Sequence, residues 1–161
     1  MKSENVNAFV QGAQNTLQSI CGSTGKLGKV FIKQPPYDAL AISVIIGITG
    51  QLQGEVIYTM DQDCGLYLAS KVMMGMSVSS MDEMAKSAVS ELANMISGSV
   101  AASLYNNGVE VDITPPTMID VFDVSKFGFI KPSDKLLCMP MHFETDTKKD
   151  VTFEIDLHLR G

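Results

Sequence analysis

The chain has 161 residues, 45% of them apolar, with 12 basic and 18 acidic side chains and a net charge of −6. That length fits one domain with a substantial core. With no Lys/Arg cluster to replace phosphate counterions, the composition argues against nucleic-acid binding.

In chain order, Val6, Phe9, Val10, Ala13, Leu17 and Ile20 recur at helical spacing and predict a first helix over Asn5–Ile20, ended by Gly22-Ser-Thr-Gly25. Lys29–Lys33 reads as a short strand stopped by Pro35-Pro36, because proline cannot donate to a ladder. Ala39–Thr49 carries Leu40, Ile42, Val44, Ile46 and Ile48 on one face and Ala41, Ser43, Ile45 and Gly47 on the other, the pattern of an interior strand. Gly50-Gln51 turns it into Leu52–Tyr58 as a hairpin. Asp61 is placed to cap a helix over Gln62–Met74 closed by Gly75.

The stretch Met81–Asn106 predicts the longest helix. It has no proline, opens on Asp82 and Glu83, which suit a helix N-terminus, and stops at Asn106-Asn107-Gly108. Ala85, Ala88, Val89, Leu92, Ile96, Ser99, Val100 and Ser103 fall on one arc, the expected core face. Nearly opposite runs a stripe of Ser87, Glu91, Asn94 and Gly98, spaced four, three and four. Residues so spaced are neighbours on a helix surface, so a carboxylate and an amide sit side by side, pointing away from the core, with small residues at either end. Spacing alone favours an ordinary solvated face.

Beyond it, Val109–Thr114 is a strand ended by Pro115-Pro116, and Thr117–Val124 a short strand at most. Leu136–Glu144 alternates, with Leu137, Met139, Met141 and Phe143 on one face; Pro140 points to an edge or a bulge. In Val151–Leu159, Val151, Phe153, Ile155, Leu157 and Leu159 face inward while Thr152, Glu154, Asp156 and His158 face outward. The expected fold is α+β, two layers, with an antiparallel sheet of about six strands packed against long helices.

An internal repeat runs through this pattern. GKVFIKQPP from Gly28 and GVEVDITPP from Gly108 both run through an alternating strand to a proline pair, at an offset of 80. The same offset aligns Ala8 with Ala88, Gln11 with Glu91, Ala13 with Ala93 and Gln14 with Asn94. One domain over 1–161 with pseudo-repeat halves of about 1–80 and 81–161 is expected. Short apolar patterns also agree by chance, and the register is lost beyond the prolines.

Other chemistry is sparse. Cys21, Cys64 and Cys138 share no metal-ligand spacing and leave one unpaired, the usage of reduced cytosolic thiols, so a cytoplasmic protein without a metal of its own is expected. His142 and His158 lack ligand-spaced partners and read as solvent-facing or satisfied structural histidines. No phosphate-cradling glycine loop and no G-x-S-x-G occurs, and Gly12, Gly22, Gly25 and Gly28 read as turn or cap glycines. Asp61 and Asp63 form a helix-start cluster. Eleven methionines fit core gap-filling or an adaptable surface. The N-terminus lacks an apolar signal core, and Ala39–Thr49 is too short to cross a bilayer, so no membrane insertion is expected.

The helix SAVSELANM (Ser87–Met95), followed by VDITPPT (Val111–Thr117), resembles the CheC/CheX/FliY family of chemotaxis phosphatases. That family's signature is an aspartate or serine, a glutamate, an asparagine and a later proline, here Ser87, Glu91, Asn94 and Pro116. IGITG (Ile46–Gly50) and QGEVIY (Gln53–Tyr58) are also similar to CheX, and the likeness covers most of the chain. A single intact motif points to the CheX type over CheC, which usually carries two. Gln11 and Gln14 depart from the signature, so a second site is not expected.

The resemblance implies an enzyme that removes the phosphoryl group from the aspartate of a phosphorylated CheY-like response regulator. Asn94 would orient the attacking water and Glu91 would pair with the partner's lysine, so both are expected to be catalytic. Ser87, Glu91 and Gly98 are the expected partner-binding residues. The Mg2+ belongs to the partner's active site, and no cofactor is expected in this chain. The resemblance also implies a homodimer. Relatives of this fold serve as flagellar-switch or binding modules, so a non-catalytic adaptor is the alternative.

Overall fold

The computed structural model describes residues 2–119 and 130–160. Along the chain come α1 (Ser3–Cys21), β1 (Lys26–Leu27), β2 (Phe31–Lys33), β3 (Ile42–Gly50), β4 (Gln53–Met60), α2 (Gln62–Val72) and α3 (Glu83–Asn106). Then follow β5 (Val111–Ile113), β6 (Thr117–Ile119), β7 (Leu136–Glu144) and β8 (Asp150–Arg160). The expected α+β class is the observed one. Among the described residues the sheet has eight strands rather than about six, because β1 is too short to leave an alternation and β6 begins the segment read as a short strand at most. Of the strand expected over Thr117–Val124, the part after Ile119 lies outside the described residues. Among those described, no helix is long and apolar enough to cross a membrane.

All pairings are antiparallel, in the order β1-β7-β8-β4-β3-β5, with β2 also on β7 and β6 also on β3. The central β4–β8 pair joins two hairpins, and the short strands of each half lie on the hairpin of the other. Pro140 is buried within β7, opposite the gap between β1 and β2. Its carbonyl accepts from Gly28 N on that side, so the missing N–H faces a break in the ladder.

Val44, Ile46, Val56, Tyr58, Met139, Met141, Phe153 and Ile155 fill the sheet face beneath the helices. Phe9, Leu17, Leu68, Leu92 and Ile96 meet them from above, each fully buried side chain contributing roughly 1.5–3 kcal/mol. Both α1 and α2 pack on α3, which widens its buried face. Ala93, Ser97 and Leu104 are therefore buried, whereas Ser99 and Ser103, expected on the core face, are only half-buried. Gly12 is not a turn or cap glycine. It lies inside α1 at the α3 contact, where a Cβ would come 2.5 Å from Val100 Cγ2.

The opposite sheet face departs furthest from expectation. Glu154, Asp156 and His158, read as facing outward, are 7%, 0% and 5% exposed, and His158 takes its other reading, that of a satisfied structural histidine. The segments around Tyr37–Ala39 and Ile130–Leu136 cover them, packing with Ile45, Ile57 and Cys138 into a second, smaller core. Remote partners make this burial tolerable. Lys33 Nζ lies 2.6 Å from Glu154 Oε1, and the Tyr37 hydroxyl donates to Asp156 Oδ2 at 2.9 Å. His158 Nδ1 lies 2.8 Å from Glu55 Oε2, and Arg160 pairs with the other oxygen of Glu55. Burial, followed by the neighbouring Glu154, pushes the Asp156 carboxyl up to about 8.

Candidate functional site on α3

α3 is set by its ends and its packing. The Asp82 side chain accepts from Ala85 N at 2.9 Å, satisfying one of the free amides of the first turn. At the far end Asn107 N and Gly108 N donate back to the last carbonyls, and Gly108 turns the chain at φ 82°. Between them, the fully buried Tyr58 hydroxyl on β4 lies 2.8 Å from Ser97 Oγ. Burial pushes the Tyr58 phenol well above its ordinary range, so it stays protonated and neutral. Among the described residues it is the one side-chain hydrogen bond between α3 and the sheet, and it ties the rotation of the helix to β4. Sequence reading missed Ser97; its one cue is a serine at i+3 from Asn94 on the core side.

The stripe that helical spacing brings together is thereby turned away from the sheet. Ser87, Glu91 and Gly98 are exposed and Asn94 is half-buried. Glu91 and Asn94, three apart, are about 4.5 Å apart along the axis and adjacent on the surface. The arrangement presents an acceptor and donor amide beside a carboxylate on a rigid two-ended platform. Among the described residues Gly98 has no packing reason, since a Cβ there would meet none of them within 4 Å. A glycine inside a helix costs about 1 kcal/mol relative to alanine, and nothing in the described residues offsets it.

Pro116 lies in the Pro115-Pro116 link between β5 and β6, both of which contact α3 and lie along β3. The link is pinned at Thr114, whose N donates to Gly47 O at 3.0 Å while its Oγ1 accepts from Gly47 N at 2.8 Å. A Cβ at Gly47 would come 2.9 Å from Thr114 Cγ2, so the glycine of IGITG is the seat for the threonine of ITPP.

The other half carries a matching helix face with two glutamines in place of the glutamate and asparagine. From Lys2 to Gln18 and from Asp82 to Gly98, burial agrees position for position at the offset of 80. Gln11 is exposed and Gln14 half-buried, as Glu91 and Asn94 are. The correspondence ends at the strands. β2 lies along the start of β7, with Phe31 opposite Cys138, whereas β5 lies along the end of β3, with Ile113 opposite Ile48.

Comparison with known proteins agrees on one family. The profile described as chemotaxis phosphatase CheX matches residues 42–126. The CheY-P phosphatase CheX of Thermotoga maritima is 35% identical over 127 residues, 78% of this chain and 82% of that protein. The crystal structure of chemotaxis protein CheX from Desulfovibrio desulfuricans is 25% identical, covers 94% of this chain and 97% of that one, and superposes with a TM-score of 0.73. A fold neighbour from Borrelia burgdorferi, CheX in a complex with CheY, BeF3 and Mg2+, is 24% identical with a TM-score of 0.71 and covers 97% of both chains. With the profile covering more than half of the chain and a relative at this identity over most of it, the chain belongs to the CheX family of chemotaxis phosphatases.

Proposed function

We propose that this protein hydrolyses the aspartyl phosphate of a CheY-like response regulator, with Asn94 orienting the attacking water and Glu91 pairing with the partner's lysine. The observation that carries this reading is the exposed Glu91 and half-buried Asn94, adjacent on a helix capped at both ends and locked by Tyr58 and Ser97. An acyl phosphate is already activated, so an aligned water and charge compensation suffice. The regulator supplies the phosphorylated aspartate, the lysine and the Mg2+, which is the partner's ion. The Thermotoga relative named a CheY-P phosphatase supports the substrate class, and the Borrelia fold neighbour crystallised with CheY supports the partner.

On the same reading Ser87 and Gly98 frame the docking stripe, and only the α3 stripe acts, because Gln11 lacks the charge to pair with a lysine. The chain is one domain of two halves, about 1–80 and 81–161, supported by the shared burial of α1 and α3. It works in the cytoplasm beside its regulator, as a homodimer; the exposed Leu27, Val30, Phe31 and Ile32 around the β1–β2 edge support self-association. The deciding experiment follows decay of a phosphorylated receiver domain with and without the protein. Accelerated decay that disappears in Asn94→Ala is expected; an inert wild type that still binds the receiver makes the protein an adaptor.

A further inference from the structure

On the sheet face opposite α3, the register of β7 against β8 sets Cys138 directly across from Asp156, with Glu154 two residues along the same face. One ligand atom from each of the three lies within 4.8 Å of the others, and all three residues are buried. Among the described residues, Asp156 Oδ1 is the one buried side-chain polar atom without a hydrogen-bond partner. Its sister oxygen accepts from Tyr37, which fixes the carboxylate's direction. A fully buried oxygen left unpaired costs stability unless something occupies its lone pairs.

We propose that Cys138, Glu154 and Asp156 form a binding site for a thiophilic divalent cation of the zinc class. A thiolate with two carboxylate oxygens is a donor set that zinc accepts, three protein ligands leaving a fourth position for water. A cation with ligand bonds of about 2.0–2.3 Å requires its donor atoms to draw together from the observed spread, which rotation of the side chains supplies on two interior strands that need not move. The charge also fits. Three anionic ligands, a divalent ion and the ammonium of Lys33 sum to zero, as burial demands. Lys33 Nζ is 2.6 Å from Glu154 Oε1 and 4.8 Å from the centre of the Tyr37 ring, and its side chain is 23% exposed, which gives the site a route to solvent. Tyr37 is then the outer-shell partner that orients a ligand. The site shares no residue with the α3 stripe and stands or falls independently of the phosphatase reading.

Cobalt(II) titration of the purified, chelator-treated protein tests it. One equivalent should bind with a thiolate-to-cobalt charge-transfer band that Zn2+ abolishes by displacement. Cys138→Ser should lose the band, and Asp156→Asn should weaken binding by tenfold or more, whereas Tyr37→Phe should weaken it by about tenfold. Should Cys138→Ser fail to fold, the double variant Cys21→Ser, Cys64→Ala assigns the band, which must survive there. No binding, binding without the thiolate band, or a band lost in the double variant overturns the site. The cluster is then a proton-sharing carboxyl pair held by Lys33.

Discussion

The hydroxyl of Tyr58, on a central strand, lies 2.8 Å from that of Ser97, on α3, with both side chains buried. This pair couples the sheet to the helix that carries the proposed site. Tyr58→Phe or Ser97→Ala alone leaves a buried hydroxyl without its partner and should cost about 1–3 kcal/mol in urea unfolding. The double variant should cost less than the sum, because the orphaned group is gone. Additive losses would mean that the two hydroxyls are not coupled.

For Asn94 the expected outcome is a rank order. Asn94→Ala leaves α3 intact, since alanine is the better helix former, so receiver binding should survive while turnover falls by about 10²-fold or more. Asn94→Gln should retain a fraction of turnover, and Asn94→Asp should lose both turnover and binding by setting a negative charge beside the phosphoryl oxygens. Phospho-decay paired with binding to a beryllofluoride-loaded receiver reads both series. Wild-type rates in Asn94→Ala would remove the water-orienting role.

Glu91 should govern docking. Loss of its carboxylate in Glu91→Ala should weaken receiver affinity by about 2–5 kcal/mol, the range for truncated interfacial charge pairs, and Glu91→Lys should weaken it further. Calorimetric titration with the loaded receiver checks both. Unchanged affinity in each variant would leave Glu91 without a docking role.

Gly98 allows stability and docking to be tested with one substitution. Nothing in the described chain would obstruct a Cβ there, so Gly98→Ala should stabilise the protein by about 1 kcal/mol. If a receiver packs over that position, the same change should raise KM while kcat holds. A stabilised variant with unaltered KM would show that the partner does not reach Gly98.

The matching platform on α1 should be silent. In a variant carrying both Gln11→Ala and Gln14→Ala, two polar side chains outside the core are truncated, so the fold should persist and dephosphorylation should change less than twofold. Loss of most activity from a folded double variant would make α1 a second working site.

Much of this was legible in the sequence because it is local. The 3.6-residue period set α1 and α3 near their observed bounds, end signals set α2, and the caps Asp61 and Asp82 lie where short polar side chains precede helices. The alternation in β3, β7 and β8, with the Gly50-Gln51 turn into β4, located the sheet and its apolar face. Spacing alone put Ser87, Glu91, Asn94 and Gly98 on one stripe. What the sequence could not convey was cover and crossing. Alternation reports which face of a strand is apolar, not what lies over the other, so Glu154, Asp156 and His158 read as solvent-facing. They are buried because Tyr37 and Asp134, from segments with no periodicity of their own, fold across them and, with Lys33 of the short β2, supply partners. Gly12 likewise looked like punctuation until α1 crossed α3 at Val100. Cys138 and Asp156, far apart in the chain, became neighbours only through the register of β7 and β8, because strand pairing decides which distant residues share a few ångströms.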